Sequence, residues 1–305
     1  MKHDVYAEFR NARRNGANFP KIEGKVTDTY QKIKLASLHL TTKRNRDWAK
    51  ENKYKPWIRE YLRKIRTENN TFKTLIENDL RSLRDLEIPH LFIKIVFNLR
   101  KPYLSGDDED FYIMDNPIVK DKVFKVPCIR STTWKGALKR VIRDIAPQKI
   151  VERLFGNEKE SEESRQGRLF FYSTSLNGIS LDVITPLDRI KKAPVRGPIL
   201  FEVAPEGSEG EFKLLYLPFD LAEKLLSEKE DRQKALDEIK KDLEVLKEAI
   251  PKMMLEYGFS AKKTSGYGVV EEKLIEVRVN DQVKSNASFK EFKKMIDNEY
   301  RRMVI

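Results

Sequence analysis

Along IREYLRKIRTENNTFKTLIENDLRSLRDL, residues 58 to 86, apolar positions recur at helical spacing with no strand-like alternation, so the chain up to about residue 88 reads as mostly helical. IPH ends that region and the period changes. LFIKIVFNL, from Leu91, alternates well enough to be a strand, and the stretch after it reads as a long loop containing Gly106 and Pro117. STTWKGALKRVIRDIAP then predicts a helix, with Ser131 or Thr132 as N-cap, an apolar face of Trp134, Leu138, Val141, Ile142 and Ile145, and Pro147 as its stop.

The polar middle of VERLFGNEKESEESRQG reads as a surface loop, followed by strand-like RLFFYSTSL and ISLDVI. ILFEVA and EFKLLYL flank PEGSEG, which predicts a β-hairpin. An amphipathic helix from about 219 to 257 carries Leu236, Ile239, Leu243, Leu246 and Ile250 on one face, its charges reading as solvent-facing. GFSAKKTSGYG is a Gly-rich loop, VVEEKLIEVRV a last strand and SFKEFKKMIDNEYRRM a terminal helix. The order after residue 90 suits an α+β ferredoxin-like core, βαββαβ, with an inserted hairpin. Two regions are expected: a basic helical one over 1–88 and the α+β domain over 89–305.

Composition sharpens this picture in three ways. The longest apolar runs are strand-sized and the N-terminus lacks an apolar signal region, which predicts a cytoplasmic protein with no membrane partner. The one cysteine, Cys128, leaves no intrachain disulfide or multi-cysteine zinc site, and His3, His39 and His90 lack metal-ligand spacing. The net charge is +12, and residues 31 to 66 hold twelve Lys and Arg against three Asp and Glu, a local net of +9. Trp48, Tyr54, Trp57 and Tyr61 interleave with those cations and could stack on bases of a polyanion. A solvated helix face, or an acidic protein partner, satisfies the same charge.

Three segments carry candidate chemistry. IRSTTWKGALKR sets small hydroxyl residues and Lys135 at a helix N-terminus, where free N–H groups and the dipole favour phosphate, with Arg130, Lys139 and Arg140 adding charge. SAKKTSGYG places Lys262, Lys263, Thr264 and Ser265 beside Gly266 and Gly268, where a phosphate could approach the backbone. SGDDEDFYIMDNPIV collects Asp107, Asp108, Glu109, Asp110 and Asp115; hard cations prefer such oxygen ligands, but the DDED run reads better as a solvated loop or a contact with a basic neighbouring subunit. Tyr103 and Tyr112 are open to base stacking or to core packing.

Taken together, the strand, the Asp-Asn-Pro loop, the Lys-Gly-Ala helix start and the late Gly-Tyr-Gly loop resemble the RAMP superfamily of CRISPR-associated RNA-binding proteins, over about residues 91 to 278. The likeness is to the RNA-binding subunits, backbone or filament-end, of type III effector complexes of the Csm and Cmr kinds. It implies an RRM-like core holding guide RNA for recognition of target RNA, alongside other effector subunits including a large polymerase-like one. It further implies a thumb hairpin extended from LDVITPLDRIKKAPVRGPILFEVAPEGSEGEF, a region that includes Arg189 as an RNA contact. Arg130, Ser131, Thr132, Lys135, Lys139, Lys262, Lys263, Thr264, Ser265, Gly266 and Gly268 become RNA-binding candidates by the same resemblance. Asp115 matches the loop aspartate that promotes metal-dependent RNA cleavage, with Mg2+ or another divalent ion as cofactor; its other reading is a turn cap. Arg130 and Ser131 replace the family's usual Pro-Gly, and a stand-alone precursor-processing endoribonuclease is the remaining alternative.

Overall fold

The computed structural model describes residues 88–107, 116–157, 165–185, 199–227 and 229–304. The helical reading of 1–88, the basic aromatic stretch, Asp108 to Asp115, Tyr112 and Arg189 lie outside them, Ile88 excepted.

Strand β1 (Leu91–Asn98) runs through the middle of a five-stranded sheet. It pairs antiparallel with β7 (Glu209–Tyr216) on one side and β8 (Lys273–Val279) on the other. β3 (Leu169–Phe171) flanks β7 and β9 (Gln282–Ser288) flanks β8, giving the order β3-β7-β1-β8-β9. Leu91, Ile93, Ile95 and Phe97 are wholly buried at alternate positions, as are Phe212, Leu214 and Tyr216 opposite them, so the period-two pattern fills one continuous core. Helices α1 (Ser131–Ile145), α4 (Lys229–Lys252) and α5 (Phe289–Val304) contribute their apolar faces to that core. α2 (Gln148–Phe155) follows α1, and short α3 (Ala222–Leu226) precedes α4, while β2 (Cys128–Ile129) and β4 (Thr174–Ser175) form a separate antiparallel pair.

Several elements differ from the sequence expectations for visible reasons. PEGSEG does not close a hairpin: β6 (Ile199–Val203) pairs with β5 (Ser180–Ile184), while β7 joins the main sheet. Leu99 and Tyr103, beyond β1, capture the intervening turn through Gly207, Ser208 and Ala204. Pro147 stops α1 yet opens α2, where a proline ring costs no hydrogen bond. The helix expected over 219–257 breaks at Ser227 and ends in a π-helical turn, Met253–Tyr257. Ile145 is partly exposed at the end of α1. β9 carries no strand signal in the sequence because QVKSNAS is polar, as suits a solvent-facing edge strand.

Nor are the charges of α4 purely external. Asp242 is fully buried and accepts hydrogen bonds from Arg153 Nε at 2.8 Å, Arg168 Nη1 at 2.7 Å and Tyr216 Oη at 2.8 Å. Arg168 also reaches Asp220 and Glu238, so α2, β7, α4 and the residue that leads into β3 meet in one polar network.

Candidate nucleic-acid interface

An aromatic cluster sets α1 against the Gly-rich loop. The Trp134 ring lies 4.4 Å from Phe259 and 4.9 Å from Phe212 between centroids, and its Nε1–H donates to Thr174 Oγ1 at 3.0 Å. Phe259 begins the loop, whose neck closes where Phe259 N–H donates to Gly268 O at 3.0 Å. The segment after β1 receives the loop: Ala261 N–H donates to Leu104 O and Gly268 N–H to Pro102 O, both at 2.8 Å, while Ser260 Oγ accepts from Leu104 N–H at 2.7 Å.

Gly266 and Gly268 have different tasks within this loop. Gly266, at φ 81°, is exposed and nothing stands near its missing Cβ. Gly268, at φ 69°, is buried, and a Cβ there would lie 2.4 Å from Ser260 Cβ. Gly268 is thus required by close approach of the chain to itself, leaving Gly266 as the open glycine at the turn.

Lys263, Thr264 and Ser265 form a single 3-10 turn, with Thr264 and Ser265 exposed. The Lys263 ammonium is held below its ordinary pKa first by burial and then by the positive charge of Arg140 on α1. Two cations from separate elements are therefore gathered with no ion pair to Lys263 among the described residues. Such a pair gains from an incoming anion, which would relieve the repulsion and replace lost solvation. Arg140, in the sequence only one more cation of α1, acts on the loop lysine from a separate element.

At the start of α1 the N-cap is Arg130, not Ser131 or Thr132, and Ser131 N–H is taken by Ser173 Oγ at 3.3 Å. Thr132 and Lys135 remain exposed on the first turn. Arg130, half exposed, pairs with the buried carboxylate of Asp107 at 3.5 Å. The first acid of the DDED run is therefore not solvated but is folded against this helix start. Lys139 Nζ lies 5.8 Å from the Phe155 centroid on α2. Tyr103 is core rather than a stacking platform: it packs 5.9 Å from Phe259, and burial pushes its hydroxyl up to about 12. His90 is tied to Ile88 O through Nδ1 at 3.0 Å.

The β5–β6 hairpin stands beside the same loop. Lys262 Nζ lies 5.2 Å from the Phe201 centroid and Tyr267 Oη donates to Asp182 Oδ2 at 2.5 Å. At its foot, Glu202 is buried with Lys120 as ion partner and accepts Ile118 N–H at 3.2 Å, which fixes the segment that follows Asp115. Among the described residues no group of three or more His, Cys, Asp and Glu could hold a metal ion, and no helix is long and apolar enough to cross a membrane.

Residues 96–271 match the model of the RAMP superfamily. The chain belongs to the RAMP superfamily. The matched stretch runs from the middle of β1 to just past the Gly-rich loop, so the RAMP region contains both halves of the interface described above. A curated relative of this RAMP chain is the CRISPR system Cms endoribonuclease Csm3 of Streptococcus thermophilus, 25% identical over 183 residues, which are 55% of this chain and 80% of that protein. A chain in the cryo-EM structure of the type III-B Cmr-beta complex bound to cognate target RNA superposes with a TM-score of 0.55 at 15% identity, covering 93% of this chain and 99% of that one. A chain of the Csm3–Csm4 subcomplex of the type III-A interference complex gives 0.40 at 13% identity, over 70% and 98%. The fold, helices with an antiparallel sheet, is that of RAMP subunits.

Proposed function

We propose that this RAMP protein is an RNA-binding subunit of a type III CRISPR ribonucleoprotein effector, holding guide RNA for recognition of complementary target RNA in antiviral defence. The observation that carries this is the packing of the Gly-rich loop against α1, with Phe259 and Trp134 4.4 Å apart, which puts the exposed Thr264, Ser265 and Gly266 on a loop held to a helix that exposes Lys135 and Arg140. Backbone donors, hydroxyls and paired cations suit a phosphodiester chain read without regard to base. Thr132, Lys135 and Arg130 continue the surface along α1, and the β5–β6 hairpin is the thumb. With β1, β3, β7 and β8 as its four strands and α1 and α4 between them, the sheet order 2-3-1-4 supports a ferredoxin-like core. The working compartment is the cytoplasm, and the partners are guide and target RNA with other effector subunits, a polymerase-like one included.

Target cleavage through Asp115 is the catalytic part of the proposal. A carboxylate beside the scissile phosphate would orient the 2′-hydroxyl or hold Mg2+. Asp107, the described member of the acidic run, is committed to Arg130 and does not fit as a second ligand. The second reading is a filament-end subunit that binds RNA without cutting it.

Recovery of the complex from its host decides the matter. Repeat-derived guide RNA and a polymerase-like subunit in the same particle support the proposal, whereas a lone chain that cuts repeat RNA unaided overturns it. Asp115→Ala in the assembled complex then separates the two readings: loss of target cuts assigns cleavage to this chain, and unchanged cutting assigns it the end position.

A further inference from the structure

Lys262 and Tyr267 bracket the exposed turn of the Gly-rich loop, and they close on one place. Asp182, which accepts the Tyr267 hydroxyl, and Phe201, which lies under the Lys262 ammonium, are direct register partners across the β5–β6 hairpin. The hairpin forms its own two-stranded sheet, separate from the five-stranded one. Its foot is fixed through β6, by the buried Glu202 and by Ala204 bridged to Tyr103. β5 is reached from the loop by the Tyr267 hydrogen bond.

Two details show that the contact is built. Lys262 sits at φ 54°, a left-handed conformation uncommon for lysine. Asp182 has a donor for each oxygen, since Oδ1 accepts Val183 N–H at 2.7 Å and Oδ2 accepts Tyr267. A neutral hydroxyl ties down the carboxylate without consuming a cation of the loop, so Lys263 and Arg140 stay available to an anion.

We propose that Tyr267 and Lys262 are positioning residues, a two-point clamp that makes the Gly-rich loop and the β5–β6 hairpin one mechanical unit. RNA phosphate held at the loop then fixes the position of the hairpin relative to the bound strand. This rests on the RNA-binding reading above. Tyr267 itself carries the coupling without contacting RNA.

The test is amide hydrogen exchange on the full chain, with and without poly(U), in wild type, Tyr267→Phe, Asp182→Ala and Asp182→Asn. In wild type, RNA should slow exchange about fivefold or more both in residues 260–268 and in Ser180–Ile184. In Tyr267→Phe and Asp182→Ala the loop should keep its slowing while that of the hairpin falls below about twofold; Asp182→Asn, which still accepts the hydroxyl, should retain it. A merely structural role would loosen the hairpin equally with and without RNA. Equal RNA-dependent slowing of the hairpin in wild type and Tyr267→Phe would overturn the clamp. No slowing of the wild-type loop would overturn the RNA-binding reading beneath it.

Discussion

Arg130 Nη2 stands 3.5 Å from Asp107 Oδ1, so the residue that caps α1 is held by the first member of the acidic run. The carboxylate is buried and the guanidinium is 42% exposed, which leaves the cation able to meet a second anion on its outer side. Asp107→Asn keeps the shape but removes the neutralising charge. Affinity for single-stranded RNA should rise about two- to fivefold at low salt, the order of one partly exposed ion pair. Anisotropy titrations over a salt series check this, with the slope of log K against log salt steepening by up to about 0.7. An unchanged slope would mean that Arg130 does not reach the RNA.

Lys263→Ala and Arg140→Ala should each weaken RNA binding several-fold, irrespective of base sequence, and flatten that slope by about 0.7. Thermal unfolding should barely move, since removing one of two crowded cations relieves repulsion. A sequence-dependent loss would argue for base readout instead.

The two loop glycines should separate in mutagenesis. Gly266→Ala meets open space and costs only the left-handed backbone, about 1 kcal/mol. Gly268→Ala drives a methyl into Ser260 and should cost about 2–3 kcal/mol or more, with loss of soluble protein as the visible outcome. Urea unfolding of both variants measures the difference.

The Asp242 network makes stability depend on acid. Burial alone would raise the pKa values of Asp220 and Glu238, but hydrogen bonds and charge from Arg168, with Arg165 beside Asp220 and Arg153 near Glu238, outweigh it and hold both below their ordinary 3.8 and 4.5. Because the folded state binds fewer protons than the unfolded one, this stabilisation is complete above the ordinary values and is lost as pH falls through the depressed ones. The urea midpoint should therefore be flat from neutral pH to about 5 and fall below that. Asp242→Ala strands Arg153 and Arg168 and should cost about 3–5 kcal/mol at pH 7.

Legibility in the sequence followed the range of the interaction. β1, α1 and α5 were readable because period and burial coincide within one segment, as Leu91 to Phe97 and Trp134 to Ile142 show. Ser288 and Glu291 even form a reciprocal cap for α5, with Ser288 N–H donating to Glu291 Oε2 at 2.8 Å, although SFKE was read only as part of a helix. The partner of β6 was not readable, since PEGSEG is a good turn whichever strands it joins and tertiary pairing to Leu99 decided the outcome. The same holds for the site. Lys263 and Gly266 announce themselves in a Gly-rich loop, whereas Tyr267 and Asp182 are 85 residues apart and leave no local trace.

The ends of the main sheet set a limit on assembly. β3 offers three residues at one margin, and at the other β9 presents Lys284 and an Asn286 bent into φ 51°. Neither margin is a template for another strand. Among the described residues, then, the sheet offers a neighbouring chain no long flat edge to extend, which works against runaway cross-β pairing.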